Sequence, residues 1–302
     1  MWHSSVRSSL LPGLALILLA TSARAQGDPP VGLRAAGMAG AFTAVADDAT
    51  ATVWNPAGLA SASFFSLAID GNSFAHRSAL FAGMATPPLG VSYWRTATAE
   101  LDNSRNTFVA HNFGVSLVQS LGDTGVAIGT TLKLVRGVVS TEEEPSTAST
   151  KFDADAGVMV SGGLGQIGLT VRNLTRPAFR IPGTAGGTIQ LDRKVRGGVS
   201  VHVNDRTTIA GDVEFTKATA LSGTWRDAAI GVEMQPFDSR TWVRGGLHWN
   251  TAGGGSRGSG AAPIAAFGAS YAIHGALMAE AQASVGSAKG NRGWGVGVRI
   301  AF

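Results

Sequence analysis

The side chains that could do chemistry are scattered along the chain. No two histidines have the spacing of metal ligands, so each is interpreted as a polar lumen or loop residue. Beyond the first 25 residues they are His76, His111, His202, His248 and His274. The Gly-x-Ser-x-Gly turn of a hydrolase nucleophile is not present either. The sequence therefore predicts no catalytic residues, no metal site and no cofactor.

Three local patterns have simpler interpretations than a reactive site. The stretch "SGGLGQIG" lacks the Gly-Lys-Ser/Thr ending of a phosphate loop and precedes no helix, which favours a tight turn. The acidic run Glu142–Glu144 could bind a cation or a partner, but a solvated charged loop is the simpler interpretation. Ser200 and His202 share one strand face, as two residues of a polar lumen would. We therefore do not expect an enzyme.

The first residues have the pattern of a secretory leader. An apolar run from Leu10 to Ala20 is followed by Ala23-Arg24-Ala25, a small-x-small cleavage site. The run is too short to span a bilayer as a helix. We predict a signal peptide over residues 1–25, cleaved before Gln26, and export to the periplasm or outer membrane of a Gram-negative-type bacterium. The chain has no cysteine, so neither disulfides nor an acylated cysteine hold it.

Charge and hydropathy exclude two further classes of protein. Lysine and arginine number 24 against 20 aspartate and glutamate, and no element gathers a basic cluster, which disfavours nucleic acid as a partner. After the leader, no apolar segment approaches the length of a membrane-spanning helix.

From Phe64 onward the hydrophobic period is two. In "VRGGVSVHV", apolar Val195, Val199 and Val201 alternate with polar Arg196 and Ser200. Such alternation predicts strands with one apolar and one polar face. The runs are about ten residues long and their polar faces carry charges of both signs, which favours a transmembrane β-barrel over a soluble sandwich.

We predict an all-β, transmembrane antiparallel barrel of about 14 strands over residues 63–302, with 12 as the alternative. The predicted strands are 64–70, 77–84, 88–97, 107–119, 125–138, 150–160, 166–173, 188–203, 207–217, 224–235, 241–250, 262–272, 275–285 and 293–302. Connections after even-numbered strands are short, and those after odd-numbered strands are mostly longer. A barrel with both termini in the periplasm has this asymmetry.

The last strand carries the strongest local signal. In "GWGVGVRIAF", apolar side chains occupy every second position and end on an aromatic residue. They are Trp294, Val296, Val298, Ile300 and Phe302. The pattern resembles the terminal strand read by the outer-membrane barrel-assembly machinery, which we expect as a partner together with outer-membrane lipid.

The polar faces supply a candidate set of lumen charges. A tight turn joins the strand of Lys194 and Arg196 to that of Asp212 and Glu214, so these four are expected to face one another. The predicted set is Lys194, Arg196, Asp212, Glu214, Arg244 and Arg299. Their main expected role is to stiffen the wall, with control over what passes as the alternative.

The segment before the strands, Arg34 to Ala60, is rich in small residues. Its "GMAGAF", "ADD" and "WNPAGLA" resemble the N-terminus of FadL/TodX-type outer-membrane proteins, in particular the PorV/PorQ-like and uncharacterised branches. The resemblance implies that residues 26–62 fold into the barrel as a hatch or plug. The hatch residues that it singles out are Arg34, Gly37, Gly40, Asp47, Asp48, Asn55, Pro56 and Gly58.

The same residues make physical sense as a plug. Asn55 before Pro56 reads as an N-cap followed by proline at the first helical position. Asp47 or Asp48 could cap the turn before Trp54 in the same way. The alternative is a periplasmic stub with no role in gating.

The resemblance also implies a function, namely passive transport of small hydrophobic or amphipathic molecules across the outer membrane. The alternatives are a PorV-like scaffold or shuttle for exported proteins and a small porin for polar solutes. The chain has no long apolar outer loop of the kind that gathers a fatty acid. Its 41 glycines are interpreted mainly as a requirement of barrel bending and closure.

Overall fold

The computed structural model describes residues 30–101, 106–183, 187–220, 223–236, 240–252, 263–286 and 291–302. The predicted signal peptide and its cleavage site lie outside the described residues. Within them, no helix has the length and apolar character needed to cross a membrane.

The strands of the described chain close into one antiparallel barrel of fourteen. Its members are β1 Ser66–Phe74, β2 Arg77–Thr86, β3 Leu89–Leu101, β4 Asn106–Ser120, β5 Val126–Ser140, β6 Thr147–Gly162, β7 Gly165–Arg172, β10 Lys194–Asn204, β11 Thr207–Glu214, β14 Asp227–Met234, β15 Thr241–Asn250, β16 Ile264–His274, β17 Leu277–Val285 and β18 Gly293–Ala301. The predicted fold class and strand count are confirmed.

Two small hairpins stand apart from the barrel. One pairs β8 Ala178–Arg180 with β9 Thr188–Gln190, and the other pairs β12 Ala218–Ala220 with β13 Gly223–Trp225. The predicted strands 188–203 and 224–235 each ran through one of these hairpin strands into a barrel strand. The barrel strands themselves begin at Lys194 and Asp227.

The barrel closes by pairing its first strand with its last. Leu67 lies opposite Ile300, and Ile69 lies opposite Val298. Phe65 and Phe302 exchange backbone hydrogen bonds of 2.9 and 3.0 Å, and their rings stack with centroids 5.2 Å apart. The apolar C-terminal pattern therefore belongs to the strand that removes the last free edge of the sheet.

The barrel wall is apolar on its outer face and polar on its inner face, which is the reverse of a soluble protein. On β4, Phe113 and Val115 are 53% and 55% exposed, whereas Asn112 and Ser116 are 5% and 0% exposed. Each barrel strand contributes at least one large exposed apolar side chain. Such a continuous apolar exterior is stable against lipid and not against water.

The two ends of the barrel differ in their connections. At one end, called here the turn end, the links are short, with two residues each after β2, β6, β10 and β16. The other end, the loop end, carries both hairpins in its long links. The link between β1 and β2 lies at the loop end but is also only two residues long. It is therefore an exception to the difference in length between the two ends.

The hairpin β8–β9 folds into the mouth of the barrel. Phe179 and Ile189 are buried against Phe108, Val135 and Val139 on the inner face of β4 and β5. The rings of Phe108 and Phe179 lie 5.5 Å apart. Part of the loop end is therefore covered by the chain itself.

Candidate functional site

The plug, defined here as residues 30–62, lies inside the turn-end half of the barrel. It contains α1 Leu33–Gly37, α2 Ala51–Trp54 and a 3-10 helix Pro56–Ser61. Nearly all its side chains are buried, and Phe42 packs edge-on against Trp54 with ring centroids 6.0 Å apart. Alanine and glycine keep these short elements close enough together to fit within the barrel.

The side chain of Asn55 forms hydrogen bonds within the plug and to the barrel wall. Its side-chain oxygen accepts a hydrogen bond from the Ala57 amide at 3.2 Å, which caps the 3-10 helix that begins at Pro56. Its amide nitrogen donates to the carbonyls of Thr43 and Val158 at 3.0 and 3.2 Å. One side chain therefore ties two parts of the plug to β6.

Arg34 is the centre of a buried ion cluster. It forms ion pairs with Asp47, with Asp48 at 3.3 Å and with Glu233 of β14 at 2.7 Å. Asp48 also accepts a hydrogen bond from the Thr50 amide at 2.9 Å. Burial acts to raise the pKa of Asp48, but Arg34, Arg299 and the Thr50 hydrogen bonds outweigh it and hold that pKa below its ordinary value.

The cluster continues along the wall from β14 to β18. Arg244 pairs with Glu233 and donates to the Ser270 hydroxyl at 2.6 Å. Ser270 in turn donates to Glu280 at 2.7 Å, and Arg299 pairs with Glu280 at 3.1 Å. Arg244 and Arg299, both expected as lumen charges, therefore belong to a network that leads to Arg34.

The neighbouring strand β11 also holds the plug, through Asp212. One carboxylate oxygen accepts from the amides of Phe42 and Thr43 at 3.2 and 3.0 Å and from Arg196 at 2.9 Å. Arg196 also donates to the carbonyl of Gly40 at 2.7 Å. The adjacent strands β10, β11 and β14 thus each bind the plug through a charged side chain.

Close contact between backbones completes the fit. Nine barrel strands each place a glycine against the plug, and a Cβ at any of them would lie 3.0 Å or less from a plug atom. This glycine seat consists of Gly90, Gly129, Gly157, Gly168, Gly198, Gly231, Gly246, Gly268 and Gly295. At these positions the glycines serve contact with the plug, and not only the barrel bending expected from the sequence.

The plug's own glycines make similar contacts. A Cβ on Gly58 would lie 1.8 Å from the carbonyl oxygen of Ala46, and one on Gly37 would lie 2.9 Å from the backbone of Gly268. Gly40 has a φ of +83°, a conformation that favours glycine. The motif therefore needs glycine at these positions, because a larger side chain would collide with neighbouring backbone.

Between the plug and the hairpins lies a cavity of about 440 Å³. Trp54 of the plug contributes to its floor, and Trp94, Phe108, Ile189 and Trp225 contribute apolar wall. Its charged lining residues are Arg77, Lys133, Asp155, Arg172, Lys194, Arg196 and Asp227. The plug thus closes one end of a chamber that is partly aromatic and partly polar.

Arg196 and Asp212, expected to face each other, form an ion pair at 2.9 Å, but the predicted lumen charges do not all line the cavity. Lys194 and Arg196 line the cavity, whereas Asp212 and Glu214 are buried and do not line it. Lys133, which pairs with Asp155 at 2.8 Å and Asp153 at 3.1 Å, was not among them. Its position on the polar face of a predicted strand was the available signal.

The reactive patterns of the sequence do not assemble. The Ser200 hydroxyl donates to the carbonyl of Ala44 at 2.9 Å, while exposed His202 lies 3.0 Å from the Thr208 hydroxyl. Among the described residues, no three His, Asp or Glu side chains are arranged to hold a metal ion.

Comparison with known proteins bears on the fold. No family model matches the chain, and no curated protein sequence matches it. The structure is similar to a CymD monoaromatic hydrocarbon channel, with a TM-score of 0.69 and 10% identity over 90% of this chain and 97% of that one. A Pseudomonas aeruginosa FadL homologue gives a TM-score of 0.63 and 12% identity over 91% of this chain and 98% of that one.

The Pseudomonas putida toluene transporter TodX gives a TM-score of 0.55 and 9% identity, over 83% of this chain and 91% of that one. At these identities the similarity is one of fold. The chain therefore has a FadL-like barrel fold, as the N-terminal motif indicated. The resemblance to the PorV/PorQ branch stays a prediction.

The glycine seat can be tested by adding one methyl group. We expect Gly129→Ala to destabilise the protein by about 1–3 kcal/mol, because the new Cβ would lie 2.3 Å from the backbone of Pro56. Gly211→Ala is the matched control, since its Cβ would have no neighbour closer than 3.8 Å. Urea unfolding in lipid vesicles, followed by tryptophan fluorescence, measures both. Equal unfolding midpoints would contradict the seat.

The ion cluster predicts a larger effect at Arg34. Arg34→Gln leaves Asp47, Asp48 and Glu233 in the lumen without their shared cation. We expect a loss of about 3–5 kcal/mol in the same unfolding experiment, because removing one partner leaves buried charge uncompensated. Exposed Arg206→Gln, in the turn between β10 and β11, should change the unfolding free energy by less than about 0.5 kcal/mol. Similar losses in the two variants would show that Arg34 does not anchor the plug.

Proposed function

We propose that this protein is a passive outer-membrane channel for small hydrophobic or amphipathic molecules. The observation that carries the proposal is the cavity of about 440 Å³ between the plug and the loop-end hairpins. A volume of this order suits a small molecule, and a wall with aromatic faces and a few polar groups is typical of a ligand site. The related folds are those of proteins described as hydrocarbon channels.

The direction of transport follows from the ends of the barrel. The loop end faces outward and the turn end faces the periplasm, as in other barrels with long outer loops. A ligand enters between the hairpins and reaches the cavity. It then leaves either by a local shift of the plug or through a gap between wall strands. The polar anchors and the glycine seat argue against departure of the whole plug.

Two rival functions fit these features less well. A porin for polar solutes needs a continuous aqueous path, whereas buried plug residues fill the turn-end half of the lumen. A scaffold that only binds exported proteins through its loops has no use for an aromatic cavity deep in the barrel. The cavity therefore favours small-molecule transport.

Entry of slowly permeating probes into proteoliposomes tests the function. We expect at least one of two aromatic amphipaths, benzenesulfonate and phenyltrimethylammonium, to enter faster than in protein-free vesicles, while sucrose does not. If neither amphipath enters faster, transport is disproved. If sucrose enters as fast as the amphipaths, the protein is a porin for polar solutes and not a channel selective for hydrophobic or amphipathic molecules.

A matched pair of variants connects uptake to the cavity. Ala266 and Ala269 lie on the same strand, but Ala266 is buried at the cavity wall and Ala269 faces outward. Ala266→Trp should reduce amphipath entry at least about tenfold by filling the cavity, and Ala269→Trp should leave it within about twofold. Heat-modifiable gel mobility confirms that both variants are folded. Unchanged entry through folded Ala266→Trp would place the route elsewhere.

A further inference from the structure

Cationic side chains outnumber carboxylates on the surface of the cavity. Five cations line it, but only two carboxylates do. The cations are Arg77, Lys133, Arg172, Lys194 and Arg196, and the carboxylates are Asp155 and Asp227. The lining itself therefore carries more positive than negative side chains.

The carboxylates that balance several of these cations lie behind the lining. Asp153 pairs with Lys133 at 3.1 Å and Asp212 pairs with Arg196 at 2.9 Å, and both are fully buried away from the cavity. Glu214 is buried as well and interacts electrostatically with Lys194 and Arg172 without a hydrogen bond. These cations are thus balanced from behind, and Lys133 and Arg196 already use several of their donors within the wall and plug.

Arg172 differs from the paired cations. In the described part of the chain its guanidinium makes no hydrogen bond or salt bridge, and its buried Nε has no acceptor. It lies over the ring of Trp54 at 5.8 Å, and Arg196 lies over the same ring at 5.4 Å. A guanidinium that lies over a ring and has unused donors beside a cavity suits an oxyanion such as a carboxylate or sulfonate.

The aromatic lining suits a ring. Trp54, Trp94 and Trp225 each line the cavity while only 6% exposed, so their indoles are fixed in place by packing. Fixed aromatic faces bind another ring at little cost in conformational entropy.

Polar side chains on the remaining wall disfavour a plain hydrocarbon. Thr96, Asn112 and Gln282 also line the cavity. A ligand without polar atoms would remove water from these groups and return no hydrogen bonds, which is costly.

We propose that the cavity selects compact aromatic anions, that is, a benzene-sized ring carrying one carboxylate or sulfonate. Arg172 receives the acid group, and the aromatic side chains of the lining contact the ring. The selection rests on the proposed transport function but concerns a separate property, the preference for a negative head group.

Isothermal titration of the detergent-solubilised protein tests the selection with three probes of one ring size. These are benzenesulfonate, neutral benzyl alcohol and cationic phenyltrimethylammonium. Wild type should bind benzenesulfonate at least about tenfold more tightly than either of the others, because a hydrogen-bonded charge adds affinity of that order. Added salt should weaken the binding of benzenesulfonate and leave that of benzyl alcohol unchanged.

Variants assign the preference to one residue. Arg172→Gln should weaken benzenesulfonate binding about tenfold and leave benzyl alcohol binding within about twofold. Arg136→Gln, an exposed arginine on β5 that does not line the cavity, is the matched control and should change neither. Arg172→Lys, which keeps the charge, should retain part of the preference and provides the test if Arg172→Gln does not fold.

The outcomes separate this inference from the proposed function. Equal or tighter binding of the neutral or cationic probe, or an unchanged preference in a folded Arg172→Gln, overturns the anion selection while leaving a transport cavity in place. If none of the three probes binds, the cavity is not a ligand site and the proposed function fails with it.

Discussion

The contact between the backbone of the plug and the glycines of the barrel wall is the constraint on which the rest of the structure depends. At Gly129 and Gly168 a single added carbon would meet plug backbone at 2.3 and 2.5 Å. Side chains on the wall would push the plug away and leave a gap for water. Because the wall has no side chains at these glycines, a short segment without long helices can fill the turn-end half of a fourteen-stranded lumen.

Two further properties follow from this close fit. Polar groups that would otherwise face water are buried at the boundary of plug and wall, so they must pair, as Arg34 does with Glu233 and Arg196 does with Asp212. The plug also stops short of the loop end, where the wall is lined with larger side chains and the hairpins fold inward. The cavity is the space between the plug and the hairpins, and Trp54 at its floor belongs to the plug.

Much of the fold could be predicted from the sequence, because an exterior in lipid and a polar lumen impose a period of two on every wall strand. The plug's position came from the resemblance, and the capping role of Asn55 came from local sequence order. The cavity could not be predicted, since it is built by residues distant in sequence, such as Trp54, Arg172 and Trp225. The hairpins β8–β9 and β12–β13 escaped prediction because β9 and β13 were merged with the barrel strands that follow them, and β8 and β12 lie in predicted links. Glycine has no side chain and so leaves no polarity pattern in the sequence, and its contact with the plug is visible only in the folded barrel.

Hydrogen exchange of the plug amides in lipid vesicles, read by mass spectrometry, tests most directly whether the plug is seated in the barrel. If the backbone is clamped by the glycine seat, amides between residues 41 and 59 should exchange as slowly as those of the central barrel strands, because they open only when the barrel does. Exchange of this segment at the rate of an exposed loop, with the strands still protected, would contradict the account.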